Sequence, residues 1–359
     1  MGPELCTEAE GELTLEEAER HIHGAAFVTG PPVNAGIELE WLVVDRTNPH
    51  RPVPPGHLDA ALSSLPRPDG TLPDGSVLTC EPGGRLELSA PAGPGPLGCI
   101  TAASADLALV RQALEGHGLS LSGYGLDPLR DPLRVRDHPR YSAMEAYFDR
   151  VGPWGRMMMG TTAAVQLNLD AGSESGGVDG YRARWQLAHR LGPVLVAAFA
   201  NSPLWRGRRT GWRSTRQAVW ERLDPSRTRP PHGVPAQADP RDWWSRFALD
   251  AGLLCLRRTP PADWIAPSGH SFGSWLRGGI TERPPTRTDL DDHLGTLIPP
   301  VRARGRLELR MIDAQPGDGW MVPALLTTAL LDDHDAAQAA WSATESLCPA
   351  SSPFPPQQV

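Results

Sequence analysis

The stretch Ile37-Glu38-Leu39-Glu40-Trp41-Leu42-Val43 alternates strictly between apolar and acidic residues over its first five positions. Period-two alternation is the signature of a β-strand with one buried face. Ile37, Leu39, Trp41 and Val43 then share a core-facing side, while Glu38 and Glu40 lie about 6.5–7 Å apart along the other. The same grammar recurs three times. Arg85-Leu86-Glu87-Leu88-Ser89 sets Leu86 and Leu88 against Arg85, Glu87 and Ser89. Val165-Gln166-Leu167-Asn168-Leu169-Asp170 offers Gln166, Asn168 and Asp170, and Arg306-Leu307-Glu308-Leu309-Arg310-Met311 offers Arg306, Glu308 and Arg310.

The solvated side of an antiparallel sheet would show the same alternation. Two features argue for more. These faces carry Glu, Gln, Asn and Arg almost exclusively, where an ordinary wet face mixes in Thr and Ser of better strand propensity. Adjacent glutamates also repel and weaken a sheet unless cations neutralise them. Oxygen-rich clusters lacking Cys and His suit Mg²⁺ or Mn²⁺, and interleaved arginines suit phosphate. The pattern therefore reads as the floor of a metal–nucleotide cleft.

Composition narrows the chemistry. All 34 cationic side chains are arginine, and there is no lysine. That excludes Schiff-base and pyridoxal-phosphate chemistry, lysine nucleophiles and a Walker-type phosphate loop. A net charge of −8 disfavours nucleic acid as a partner. Five widely spaced cysteines without a Cys-x-x-Cys pair suggest neither a disulfide framework nor zinc, and point to a reducing cytoplasm. The acidic, polar N-terminus is unlike a signal peptide, and the wholly apolar runs are too short to span a membrane.

The 37 glycines and 38 prolines, about a fifth of the chain, fall short of a disordered composition. Thr14-x-x-Glu17 reads as a capping box opening a helix through Leu15, Ala18, Ile22 and Ala25. Further helices are expected over 101–116, 182–200 and 320–345. Loops are expected over 51–75, 91–98 and 171–180, and an exposed excursion over 223–240. One catalytic domain over 1–347 is expected, followed by a disordered proline-rich tail over 348–359. Gly83-Gly84 reads as a turn, and no Gly-x-Ser-x-Gly elbow or Cys–His arrangement marks a nucleophile.

The chain resembles the type-2 glutamate–cysteine ligases, most closely the bacterial branch that makes γ-glutamylcysteine for ergothioneine synthesis. The likeness rests on Gly36-Ile-Glu-Leu-Glu-Trp41, Glu81-Pro-Gly-Gly-Arg-Leu-Glu-Leu-Ser89 and Met157 to Asp170. It continues through Phe199-Ala-Asn-Ser-Pro203, Ser214-Thr-Arg-Gln217 with Trp220, His293 to Arg302, and Arg306-Leu-Glu-Leu-Arg310. Asp313-Ala-Gln315 favours the ergothioneine branch. The resemblance implies an α+β, glutamine-synthetase-like fold: a curved, mostly antiparallel sheet whose polar concave face is surrounded by helices. It implies ATP and Mg²⁺ (or Mn²⁺) as cofactors, and glutamate and cysteine as substrates.

Carried onto this sequence, Glu38, Glu40, Glu81, Glu87 and Glu308 match the family's acidic metal ligands. Gln166 stands where distant relatives use a ligating histidine. Arg310 would contact the transferring phosphoryl group, Arg216 would hold the glutamate carboxylate, and Asn168 would contact nucleotide. The sequence departs from the plant-like pattern at Met311-Ile312, where Gly-Ala is usual, and at Val28, where relatives often carry lysine. A ligase for another amine, and a non-catalytic relative binding nucleotide or glutamate, remain as alternatives.

Overall fold

A computed structural model describes residues 11–67, 69–231 and 238–345. Its centre is an antiparallel sheet. The strands in chain order are β1 (Asn34–Asp45), β2 (Val77–Cys80), β3 (Leu86–Ser89), β4 (Gly93–Pro94), β5 (Leu119–Ser122), β6 (Ala164–Asp170), β7 (Leu204–Trp205), β8 (Arg208–Arg209), β9 (Val301–Ala303) and β10 (Arg306–Asp313). The main path runs β2-β3-β1-β6-β10-β9, with β4 and β5 also pairing with β1; β7 and β8 form a separate hairpin. All four alternating segments are strands of this one sheet, and every pairing between its strands is antiparallel. The class is α+β.

The apolar halves of these strands build the core. Ile37, Leu39, Trp41, Leu86, Leu88, Leu167 and Leu307 are all buried in one hydrophobic cluster. Helix Gly95–Glu115 packs on β1, helix Tyr181–Phe199 on β10 and helix Met321–Asp332 on β6. Burying such side chains contributes roughly 1.5–3 kcal/mol each, which is why the alternation decides the register. Helix Gly95–Glu115 is long and apolar enough to cross a membrane by composition, yet it buries Cys99, Ile100, Ala103, Leu107, Val110 and Leu114 in the protein interior.

The capping box forms as expected: Thr14 Oγ1 accepts from Glu17 N at 3.2 Å, and Glu17 returns the contact to Thr14 N at 3.0 Å. The helix it opens, Leu15–Ala26, buries Ala18, Ile22 and Ala26. Other expectations need correcting. Residues 51–75 contain helix Pro55–Leu62, and the helix expected from 101 begins at Gly95, inside an expected loop. In both, a proline occupies the first turn, where no intrahelical N–H bond is required and the fixed φ suits a helix. The region 320–345 divides at Asp333, whose side chain caps helix His334–Thr344. The excursion over 223–240 starts with the turn Pro225–Thr228, in which Arg227 is fully buried; residues 232–237 and the tail 348–359 lie outside the described residues.

Candidate active site

The sheet's polar face is assembled by register. Glu40 lies opposite Glu87 across β1 and β3, and Glu38 lies opposite Gln166 across β1 and β6. Asn168 lies opposite Glu308 across β6 and β10, and Glu308 opposite Arg302 across β10 and β9. Seven polar side chains from five strands thus share one surface. That surface is no open wet face: Glu40 is 7% exposed, Gln166 1% and Glu308 2%.

Its two ends differ electrostatically. At the β10 end Glu308 accepts from Arg302 Nε and Nη2, each at 2.8 Å, and also from Arg310 Nη1. Burial alone would raise its pKa, but the two guanidiniums outweigh burial and hold it at about 2. At the β3 end burial pushes Glu87 up to about 8, and Glu40, Glu38 and Glu81 add to the effect. Glu38, between the ends, is also raised, first by burial and then by Glu308, although Asn168 Nδ2 donates to it at 2.9 Å.

Arg85 is the cation of the acidic end. Its Nη2 lies 3.4 Å from both Glu40 and Glu81, while its Nη1 donates to the Met159 carbonyl at 3.0 Å, near the end of helix Trp154–Thr161. The turn Glu81-Pro-Gly-Gly84 presses against that helix. A Cβ on Gly83 would come within 2.4 Å of the Gly160 carbonyl oxygen, and Gly84 has φ +80°. Both glycines are therefore demanded by backbone geometry, in agreement with a turn.

Arg216 lies beneath the β10 side. Its side chain is 2% exposed, 3.8 Å from Asp313, and its guanidinium stacks 4.6 Å from the Trp220 ring centre. Nη2 donates to the Arg310 carbonyl at 2.8 Å, whereas Nε and Nη1 have no hydrogen-bond partner, Nη1 being the atom that faces Asp313. Gln166 Oε1 and Arg310 Nε are likewise buried without a partner. Unmet donors and acceptors in a buried polar cleft are the expected trace of a ligand-binding surface.

Against this geometry, a family model for "Glutamate-cysteine ligase family 2 (GCS2)" matches residues 34–356. The chain belongs to glutamate–cysteine ligase family 2. It is 41% identical over 342 residues to glutamate–cysteine ligase EgtA of Mycolicibacterium smegmatis, covering 94% of this chain and 78% of that one. The EgtA of Mycobacterium tuberculosis is 39% identical over 338 residues, covering 93% and 76%. The chloroplastic glutamate–cysteine ligase of Arabidopsis thaliana is 30% identical over 282 residues, covering 76% and 52%. Among solved structures, a glutamate–cysteine ligase of Francisella tularensis in complex with AMP aligns at a TM-score of 0.47 and 12% identity, covering 92% of this chain and 74% of that chain.

Every residue singled out from the family motifs lies on or beside this face. Among the described residues, however, no three acidic, His or Cys side chains converge on one point as a ready metal cage. Glu308 in particular is saturated by arginine. Three members were not singled out from sequence: Arg85, Arg302 and Asp313. Arg85 and Arg302 sit at alternating positions of matched motifs, which was the available signal. Asp313, quoted only for the likeness to the ergothioneine branch, carried no signal of a place on this face, because strict alternation from Glu308 puts it on the apolar side.

Proposed function

We propose that the chain ligates L-glutamate to L-cysteine at the expense of ATP, giving γ-glutamylcysteine, ADP and phosphate for ergothioneine synthesis. One γ-carboxylate oxygen of glutamate attacks the γ-phosphorus and ADP departs. The cysteine nitrogen then attacks the acyl carbon, phosphate departs, and the amine loses a proton. The chemistry calls for positioning and charge neutralisation rather than a protein nucleophile, and among the matched motifs none supplies one.

The observation carrying this reading is the crowding of acid at the β3 end, where Arg85 is set against Glu38, Glu40, Glu81 and Glu87: Glu87 is raised by burial and by Glu40, Glu38 and Glu81, Glu38 by burial and by Glu308, and both lie beside the Gln166 oxygen, which has no hydrogen-bond partner. Hard oxygen donors short of cations fit Mg²⁺ or Mn²⁺. Glu38, Glu40, Glu87 and Gln166 would hold it, with Glu81 at the margin shared with Arg85. The ion would neutralise phosphate oxygens when bound. Glu308, matched as a ligand from sequence, is better placed to aim Arg310, the group for the transferring phosphoryl. Arg216 retains two donors that make no hydrogen bond, Nε and the Nη1 that faces Asp313, for the glutamate carboxylate, and Asn168, already tied to Glu38, would face nucleotide.

The whole of 1–347 acts as one catalytic unit in this reading, in keeping with a core that runs from Leu13 to Ala340. The free thiols of Cys80, Cys99 and Cys255 suit the cytoplasm. ADP release decides the assignment. Turnover that requires cysteine supports it; turnover only with another amine replaces the acceptor; no turnover with any amine leaves a binding protein.

A further inference from the structure

Strict alternation along β10 would send Ile312 into the polar cleft and bury Asp313 among leucines. The structure does neither. Leu309 pairs with Leu167, yet Ile312 pairs with Val165, so three steps on β10 match two on β6. One extra residue is accommodated at Arg310-Met311, a β-bulge, and beyond it the faces are exchanged: Ile312 joins the core and Asp313 the polar side.

A bulge frees backbone groups from the ladder, and buried ones need new partners. Here the two carbonyls are taken by consecutive side chains of helix Thr215–Trp220. Arg216 Nη2 donates to the Arg310 carbonyl at 2.8 Å, and Gln217 Nε2 donates to the Met311 carbonyl at 2.7 Å. The helix start is itself tied to the strand beyond the bulge. Ser214 Oγ accepts from Gln217 N at 3.1 Å and donates to Asp313 Oδ1 at 3.0 Å. Ser202 Oγ accepts from Arg216 N at 3.1 Å and donates to Asp313 Oδ2 at 2.7 Å. The closed loop from bulge to helix to Asp313 sets where the Arg310 side chain leaves the strand.

The geometry points to Gln217 as a positioning residue for Arg310, acting through the Met311 carbonyl and never touching substrate. The kinetic half of this inference rests on the ligase reading; the structural half does not. Arg216 has further donors on the same helix turn, whereas the side-chain hydrogen bond of Gln217 goes to the bulge.

The test uses Gln217→Leu, which removes the donor at similar size, alone and combined with Arg310→Gln. Expected is a fall in kcat of about tenfold or more, with KM for cysteine changed less than about threefold. In the Arg310→Gln background Gln217→Leu adds less than about twofold, because both act on one group. Hydrogen exchange supplies the readout independent of activity: amides of 306–313 exchange faster in Gln217→Leu while those of 34–45 do not. Multiplicative losses in the double variant, or unchanged exchange over 306–313, overturn the inference. Absence of cysteine-dependent ADP release by the wild type would overturn the ligase reading instead, and the exchange result would then decide Gln217 alone.

Discussion

At the β10 end of the polar face one carboxylate, Glu308, is shared by two guanidiniums. At the β3 end Glu87 faces Glu40, Glu38 and Glu81 with Arg85 as the nearby cation. The two ends lie on one sheet and use the same alternating grammar, yet burial acts on them with opposite outcomes. Where cations are built in, the acid stays ionised and the site is preorganised without ligand. Where Arg85 is set against four carboxylates, burial and the acidic neighbours raise the pKa of Glu87. The protein thus supplies two guanidiniums to one carboxylate at the β10 end and Arg85 to a cluster of four at the β3 end, the end proposed to take Mg²⁺ or Mn²⁺.

Glu308→Gln breaks this comparison hardest. It leaves the Arg302 guanidinium buried without its counter-charge and takes from Arg310 its hydrogen-bonded carboxylate, with Glu38 and Glu40 still near, and removing one partner of such a pair typically costs about 3–5 kcal/mol. Urea unfolding should show that loss, and turnover should fall by roughly a thousandfold or more as Arg310 loses its anchor. A variant as stable as wild type would show that Glu308 is not the anchor inferred here.

Gly83→Ala attacks the acidic end through its backbone. The added methyl meets the Gly160 carbonyl oxygen at 2.4 Å, and backbone on both sides leaves little room to give. The expected cost is about 1–3 kcal/mol by denaturant unfolding, with Glu81 displaced and activity reduced. Glu87→Gln sharpens the contrast because its sign is opposite. Without metal at neutral pH it removes a carboxyl that must take up a proton on folding, and it should raise stability in denaturant unfolding. With Mg²⁺ and ATP present it should lose most of the thermal shift the wild type gains, because ligand-linked stability follows affinity. An undiminished magnesium-dependent shift would remove Glu87 from the ion's neighbourhood.

How much of this was legible in sequence depended on the kind of physics involved. Alternation located all four principal strands and the polar face, because period-two burial is a local property of the chain. Leu307 and Leu309 could go nowhere else. The bulge was not legible: its evidence lies in Val165 and Leu167 on another strand, and in carbonyl partners on Arg216 and Gln217. Arg302 was passed over for a similar reason, since its importance comes from lying opposite Glu308 across a turn. Prolines misled in a regular way. Pro55, Pro96, Pro139, Pro225 and Pro240 each sit in the first turn of a helix. In a chain so rich in proline, the residue can mark a helix start as well as a loop.

The smallest effect is also the one whose sign separates the two ends most cleanly. Glu308 has its folded pKa depressed, so the stability it contributes is present above its unfolded value near 4.5 and is lost as pH falls toward about 2. Glu87 has its folded pKa raised. Between about 4.5 and about 8 the folded protein therefore binds a proton that the unfolded chain has released, and stability declines as pH rises across that window. Thermal melts of the metal-free protein from pH 5.5 to 8.5 should show Tm falling by on the order of a few degrees. Glu87→Gln should flatten that slope, because glutamine has no proton to lose. The acid side of the profile should be untouched by Glu87→Gln, since the group lost below pH 4.5 sits three strands away. A melting temperature that rose with pH across the upper window would mean that the β3 carboxylates are already neutralised by the protein, and the asymmetry between the two ends would disappear.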